Sequence, residues 1–361
     1  MLSLQGKLYF CAMDIFAEKI EKWYAEYKRD LPWRGITDPY LIWVSEIILQ
    51  QTRVEQGRDY YLRFVERFPN VKSLAEAAED EVLTYWQGLG YYSRARNMHA
   101  AARSMNGIFP ATYQEVRALK GVGDYTAAAI CSFAYDMPLA VVDGNVYRVL
   151  ARYAGIDVPI DSTQGVKVFK EVANSLLDVH RPALYNQAIM DFGALQCTPT
   201  APHCDNCPLQ DSCVAYREGK VLLLPVKQHK TKQTFRYFNY LFIRLGDNYT
   251  IINKREKDDI WRNLYQLPLV ETKENLGNTP PKEFFRWSEH IGTENVLNLK
   301  LVRQGVKHVL SHRIILANFW VMEVKQDKIL ALPDGFLQVP ISHLEDYAFP
   351  QLVHKFLQKY L

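Results

Sequence analysis

Four cysteines, Cys197, Cys204, Cys207 and Cys213, fall within one short stretch with the spacing C-x6-C-x2-C-x5-C. Thiols packed this densely serve a compact centre, so the segment must wrap around a single object. Zinc ribbons divide their ligands into two C-x-x-C pairs about a dozen or more residues apart. One loop carrying all four cysteines suits thiolates on a cubane iron–sulfur cluster, and the spacing favours a [4Fe-4S] cluster. Disulfides and a structural zinc are the competing readings. Pro199, Pro202 and Pro208 interrupt the segment, which would then be held by its metal rather than by helix or sheet.

The chain has 361 residues, enough for two domains of ordinary size. Its hydrophobic content of 48% supports true cores and excludes wholesale disorder. The net charge of +3 permits a nucleic-acid partner without demanding one. No apolar run approaches the ~20 residues of a membrane span, so no membrane partner is expected. The run Leu8–Met13 is too short for a signal-peptide core and ends at Asp14. A cytoplasmic monomer is expected, in a compartment where thiols stay reduced and clusters are assembled. Cys11 and Cys131 lie in apolar surroundings and read as inert small hydrophobes.

Residues 14–216 read as almost wholly helical. Apolar residues recur at helical spacing in Asp14–Tyr27, Pro39–Gln51, Val54–Arg67, Glu79–Trp86, Ser93–Asn106, Tyr113–Leu119, Thr126–Ala134, Val146–Ala154, Gly165–Leu177 and Pro182–Leu195. Breakers such as Phe68-Pro69, Gly88, Gly90, Gly107, Pro138 and Pro159 part them. A compact all-α domain over residues 1–216 is predicted, with the cluster loop at 197–213. Residues 217–234 hold Arg217, Lys220, Lys227, His229, Lys230 and Lys232 without periodicity, and read as a basic linker. Beyond it, Phe235–Leu245, Tyr249–Lys254, Val306–His312 and Ile314–Val324 have the alternation or the β-branched and aromatic content of strands. Helical stretches Pro281–Ile291 and Phe349–Tyr360 complete a smaller α+β domain over residues 235–361. The fold class is therefore multi-domain, all-α followed by α+β.

Leu119-Lys120-Gly121-Val122-Gly123 lies between two helical patterns. Two glycines one residue apart permit a tight turn and let backbone amides approach an anion. The helix beginning near Asp124 aims its amides and positive dipole end at the same place. Such a hairpin grips phosphate without reading sequence, and an ordinary turn between helices is the alternative. Glu46 is the only charged residue between Asp38 and Arg53, on a helix apolar on every side. A helix of that kind is buried, and a buried carboxyl can hold a proton near neutrality and act as a general acid. An ion pair with a buried arginine such as Arg34 is the competing reading. Asp143 stands just before a helix, where an N-cap aspartate is common. Two carboxylates in unlike environments are what cleavage of a glycosidic bond requires: one protonates the leaving group, and the other stays ionised against the cationic sugar.

The Gly121-x-Gly123 hairpin, Val142-Asp143-Gly144-Asn145-Val146 and the four-cysteine loop, in that order, resemble the helix–hairpin–helix DNA glycosylase superfamily. Within it, Leu31-Pro32-Trp33-Arg34, Trp43-Val44-Ser45-Glu46, Gln50-Gln51-Thr52 and Gly88-Leu89-Gly90-Tyr91-Tyr92-Ser93-Arg94 resemble the adenine DNA glycosylases, over residues 14–216. The resemblance implies removal of adenine mispaired with 8-oxoguanine, and double-stranded DNA carrying that pair as the partner. It also implies a bacterial-type, nucleoid-associated protein. The adenine would be flipped out of the duplex. Glu46 would protonate its ring and then assist the attacking water, while Asp143 stabilises the oxocarbenium ion by charge or covalently. Tyr125 and Asn145 would line the sugar side, and Arg34 would orient Glu46 or the base. Gln51 and Tyr91 would wedge into the duplex, with Thr52 and Leu89 among the DNA-contacting residues and Gly121 and Gly123 on a phosphate. Bifunctional relatives similar to endonuclease III carry a lysine two residues after the second hairpin glycine, which forms a Schiff base with the sugar. Tyr125 stands there in this chain and a phenol cannot make that imine, so a monofunctional glycosylase is expected. Where the family often has a glutamate before Gly193-Ala194-Leu195, this chain has Asp191, a shorter carboxylate read as a supporting residue.

Asn263-Leu264-Tyr265-Gln266-Leu267-Pro268, with Trp261 just upstream, resembles the Nudix-like domain of the same family. Nudix hydrolases hold magnesium on a helix bearing Arg-Glu and paired glutamates. No such cluster follows Pro268, so the domain reads as a recognition module rather than a pyrophosphatase. His308, Leu310, Ser311 and His312 fall at the family's recognition loop, usually Phe-Ser-His; Leu310 replaces the aromatic, while Ser311 and His312 can hydrogen-bond the oxidised guanine. The alternatives are a bifunctional oxidised-pyrimidine glycosylase and a non-catalytic iron–sulfur DNA-binding protein. Tyr125 and the second domain speak against the first, and the pair Glu46 and Asp143 against the other.

Overall fold

The computed structural model describes residues 4–228, 233–327 and 331–361, with the backbone alone for residues 4–14. Cys11, the side chains of Leu8–Met13, and His229, Lys230 and Lys232 of the predicted linker lie outside the described residues. The chain forms two compact units, Met1–Glu76 with Asn97–Lys230, and Ala77–Arg96 with Thr231–Leu361.

The helices up to the linker are α1 (Leu4–Tyr27), α2 (Pro39–Leu49), α3 (Val54–Arg67), α4 (Val71–Glu76), α5 (Glu79–Tyr85), α6 (Ser93–Ser104), α7 (Tyr113–Ala118), α8 (Asp124–Tyr135), α9 (Gly144–Ala154), α10 (Thr163–Ser175), α11 (Pro182–Leu195) and α12 (Val214–Arg217). Every helix predicted from periodicity has its counterpart. The short α4 and α12 were not foreseen, because so few turns carry no readable period. Asp38 starts α2 by accepting from the amides of Tyr40 and Leu41 at 2.8 and 3.1 Å, with Pro39 at the first helical position. The helix then runs apolar on every side and is buried from Ile42 to Ile48. It packs against α8, where the small side chains of Ala127, Ala128 and Ala129 are buried.

A core of Phe16, Ile20 and Trp23 from α1, Val149 and Leu150 from α9, Phe169 from α10, and Tyr185, Ile189 and Phe192 from α11 holds the first unit. Cys197, Cys207 and Cys213 pack against the same core. Residues 217–228 of the predicted linker are not a free tether. Leu224 is buried in this core, with Val221 and Val226 against it, and the Gln228 amide donates to Asp161 Oδ1 at 2.8 Å.

The second unit is built on one mixed sheet. Its strands are β1 (Thr234–Leu245), β2 (Tyr249–Lys254), β3 (Tyr265–Gln266), β4 (Leu269–Thr272), β5 (Val296–Val309), β6 (Arg313–Val324) and β7 (Phe336–Pro340), with helices α13 (Glu283–Ile291) and α14 (Gln351–Tyr360). The order is β3-β2-β1-β6-β5, with β4 paired to β1 and β7 to β2. Central β1 and β6 are parallel. Successive side chains of β1 face opposite sides. Phe238, Tyr240 and Phe242 share a core with Leu352, Val353 and Phe356 of α14, while Leu241, Ile243 and Leu245 share one with Phe284 and Ile291 of α13. Burial on both faces explains why β1 reads as a continuous apolar run.

Residues 77–96 lie within the sequence range predicted as the helical domain, yet they belong to the second unit. Asp80 pairs with Lys254 at 2.5 Å and accepts from the Tyr265 hydroxyl at 3.2 Å. The Tyr92 hydroxyl donates to Phe349 O at 3.1 Å, and the Phe349 amide to Gln87 Oε1 at 2.9 Å. These polar contacts are long-range and leave no trace in local periodicity.

Phe16 is fully buried and its ring lies 4.5 Å from that of Tyr153. Replacing it with alanine is expected to lower the unfolding free energy of the first unit by about 3–5 kcal/mol, read from urea denaturation.

Candidate active site

Glu46, Tyr125, Asp143, Asn145, Arg34, Gln51 and Thr52, far apart in sequence, line one cavity of about 580 Å³ in the first unit. Glu46 is 6% exposed on α2. Burial pushes its carboxyl up from 4.5 to about 7. Arg34 and the Tyr125 hydroxyl oppose that shift, and Asp143 adds to it. Tyr125, one residue into α8, donates its hydroxyl to Glu46 Oε2 at 3.0 Å. Burial and the two neighbouring carboxylates hold its phenol protonated, well above the usual range, so it acts here as a donor.

Asp143 caps α9, as its position before a helix suggested, and lines the same cavity as Glu46. Its Oδ1 caps α9 by accepting the Val146 amide at 2.7 Å, and its Oδ2 accepts from Asn145 Nδ2 at 2.8 Å. Burial raises its pKa, against these hydrogen bonds and Arg148. The helix dipole also favours negative charge at this end of α9. Gly193 lets α11 approach the start of α9: a Cβ there would lie 2.8 Å from Asn145 Cβ.

Asp191 is fully buried in α11 and holds two arginines, accepting from Arg29 at 2.5 Å and from Arg34 at 3.2 Å. Arg34 therefore reaches Glu46 through charge, while its hydrogen bond goes to Asp191; its Nε is buried without a partner. Arg29, Met190 and Arg148 also line the cavity and were not singled out in the sequence. Arg148 was the most findable of them, since it sits three residues after Asn145 on α9 and bonds Asn145 Oδ1 at 2.9 Å.

Gly121 has φ of +83°, and a Cβ there would meet Asn97 Cβ at 2.9 Å. Gly123, the N-cap of α8, has φ of −94° and ψ of 177°. This is extended backbone open to any residue, so only Gly121 needs glycine for its dihedrals. At Gly123 nothing lies within 4 Å of an added Cβ, which leaves the end of α8 open to an approaching group.

A second cavity of about 490 Å³ lies in the second unit and collects Leu89, Tyr91, His308, Leu310, Ser311 and His312. Leu310 to Arg313 form the tight turn between β5 and β6, closed by the Leu310 amide donating to Arg313 O at 2.8 Å. Leu310 packs partly buried against the core, while Ser311 and His312 are exposed. The hydroxyls of Ser311 and Tyr91 lie 2.5 Å apart. Burial and Lys355 lower the pKa of His308, favouring the neutral ring. Gln51 and Tyr91, the expected wedge residues, both have positive φ, 62° and 47°. Side chains rarely adopt that conformation, and it tends to persist where surrounding structure enforces it at functional sites.

The four loop cysteines line one cavity with Arg152, Gln196 and His203. They are unlinked by disulfides. No three His, Cys, Asp or Glu side chains among the described residues converge on the position of a single ion. Arg152 Nη1 lies 3.4 Å from Cys197 Sγ.

Residues 44–171 match the family model for the HhH-GPD superfamily base excision DNA repair protein, and residues 239–359 match the NUDIX domain. An adenine DNA glycosylase of Buchnera aphidicola subsp. Baizongia pistaciae (strain Bp) is 34% identical over 319 residues, which span 85% of this chain and 86% of that protein. The chain belongs to the adenine DNA glycosylase family. The adenine DNA glycosylase of Mus musculus is 42% identical over 226 residues, covering 58% of this chain and 44% of the mouse protein. A solved structure described as a thermostable thymine-DNA glycosylase is 28% identical with a TM-score of 0.53, covering 57% of this chain and 97% of its own. The protein is thus a DNA-binding glycosylase of base excision repair that acts on adenine.

Between pH 4.5 and 7 the folded protein holds a proton on Glu46 that the unfolded chain gives up, so stability falls as pH rises through that window. Glu46→Gln removes this titration. Its urea midpoint is expected to gain on the wild type as pH is raised from about 5 to about 8, measured side by side.

Proposed function

We propose that the protein hydrolyses the N-glycosidic bond of adenine paired with 8-oxoguanine, with departure of the flipped-out base assisted by acid and without strand cleavage. The observation that carries this reading is a protonatable, buried Glu46, bonded to Tyr125, in the same cavity as the capped Asp143. Glu46 delivers its proton to the adenine ring as the bond's electron pair leaves with the base. Asp143 stays anionic against the sugar cation, supported by Val146, Asn145 and the end of α9. Water then adds to the sugar carbon and yields its proton to the Glu46 carboxylate, which restores the acid. Arg34, held by Asp191, keeps cationic charge beside Glu46 and has a spare Nε–H for the base. Tyr125 occupies the place of a lyase lysine and supplies no amine.

In this reading residues 1–216 carry the chemistry, 217–234 join the domains, and 235–361 read the base opposite adenine, through Ser311 and His312 with His308 and Leu89 beside them. Gln51 and Tyr91 hold the opened duplex, with Thr52 at its edge, and the hairpin of Gly121 and Gly123 takes a backbone phosphate. The protein works as a monomer in the cytoplasm, with the nucleoid.

Cys197, Cys204, Cys207 and Cys213 would hold a [4Fe-4S] cluster. The donor set fits: the four cysteines line one small cavity without disulfides, and four thiolates are the ligand set of such a cluster. Burial raises the Cys207 thiol to about 11, so thiolates here need positive charge beside them. When bound, the cluster would supply that charge and order residues 197–213. Protein purified without air is expected to carry about four irons per chain, and Cys204→Ser is expected to lose iron together with thermal stability, read by metal analysis and calorimetry.

Single-turnover cleavage of duplexes with adenine opposite 8-oxoguanine, guanine or thymine tests the chemistry. Adenine should leave fastest opposite 8-oxoguanine, Glu46→Gln should be slower by at least about 100-fold, and borohydride should trap no adduct. A trapped adduct, or intact wild-type protein that releases no adenine, overturns the mechanism.

A further inference from the structure

A third cavity, of about 330 Å³, lies between β5 and α14 in the second unit. Its floor is apolar, formed by Val306, Phe319, Leu352 and Phe356, with Phe356 stacked on Phe319 at 4.2 Å between ring centroids. Its rim carries Arg303 and Lys307 from β5 and Lys355 and Lys359 from α14. No acidic side chain lines it, and none of the four cations has an ion pair among the described residues. Lys355 and Lys359 stand one helical turn apart and repel each other. The opposite strand adds two more positive charges.

A bulge turns Arg303 to the face that carries Val306. The register of β5 on β6 shifts between Arg303 and Val306, where Gly305 has φ of +61° and its amide donates to Asn318 Oδ1 at 2.8 Å. In an unbroken strand residues three apart face opposite sides; here both line the same cavity. His308 lines this cavity and also the one containing Ser311 and His312, so the two adjoin.

We infer that the cavity between β5 and α14 binds backbone phosphates of the DNA strand whose base is read at His308, Ser311 and His312. The inference rests on the reading function proposed above. Cations without acidic partners, over a low-dielectric floor, concentrate positive potential. Phosphate oxygens match them, with arginine binding through two N–H groups and lysine as a point charge. Phosphates of a free nucleotide have the same chemistry, and the experiment separates the two sources.

The full chain is made as Lys355→Gln/Lys359→Gln and, independently, as Arg303→Gln/Lys307→Gln. All four positions are exposed, and circular dichroism with the melting midpoint checks the fold. Dissociation constants are measured from about 50 to 200 mM salt, for a duplex with an uncleavable adenine analogue opposite 8-oxoguanine or guanine. Each pair is expected to weaken binding about tenfold or more and to reduce the salt slope by roughly 1.8, about 0.9 for each phosphate that is no longer neutralised. The salt slope decides the phosphate site whether or not the wild type prefers 8-oxoguanine, so its failure is distinct from failure of the reading function. Unchanged slopes in both pairs overturn the inference. So does binding of dGTP by the wild type alone with DNA binding unaltered, which assigns the cavity to a free nucleotide.

Discussion

Two arginines on α9 tie the irregular segment around the cysteines to the helix that begins at Asp143. Arg148 donates to Cys197 O at 2.7 Å and to Gly193 O at 2.5 Å. Arg152, 2% exposed, donates to Leu224 O, Thr198 O and Pro199 O at 3.1, 2.7 and 2.9 Å. An irregular segment has carbonyls that no ladder satisfies, and buried carbonyls without donors are costly. One helix supplies those donors and, at its other end, the aspartate and asparagine of the reaction cavity. The cysteine segment and the carboxylate are therefore built on one rigid element.

The electrostatics of the reaction cavity rest on two carboxyls treated differently. Glu46 has one hydrogen-bond donor, Tyr125, and sits in an apolar helix. Asp143 has a backbone amide, a side-chain amide and a helix end. Burial raises both carboxyls, and at Asp143 the hydrogen bonds oppose that rise. The ion pair of Asp191 with Arg34 places cationic charge close enough to temper Glu46, while the hydrogen bond of that arginine goes to Asp191.

Much of this was legible in the sequence because it is local. The all-apolar run from Tyr40 to Leu49 announced a buried glutamate, and Asp143 before Gly144-Asn145 announced a cap. The cysteine spacing announced one enclosing loop. What stayed hidden was long-range. Nothing near Asp191 shows that it receives Arg29, more than 160 residues earlier. The short strands β3, β4 and β7 have too few residues to alternate visibly. The first half of β5, Val296 to Leu301, alternates but is only half apolar at its exposed edge position, and the strand expected from the sequence begins at Val306. At Gly123 the backbone is ordinary and the missing side chain is what counts.

The grouping of residues 77–96 with the second unit has a topological consequence. The chain enters that unit, returns to the first within α6, and enters again after the cysteine segment. A protease cut in the linker would therefore not release a whole module. The C-terminal fragment would leave behind the partners of Lys254, Tyr265, Asn263 and Phe349. The two units are distinct bodies but not exchangeable cassettes, and swapping the C-terminal part between relatives would have to carry the α5 segment with it.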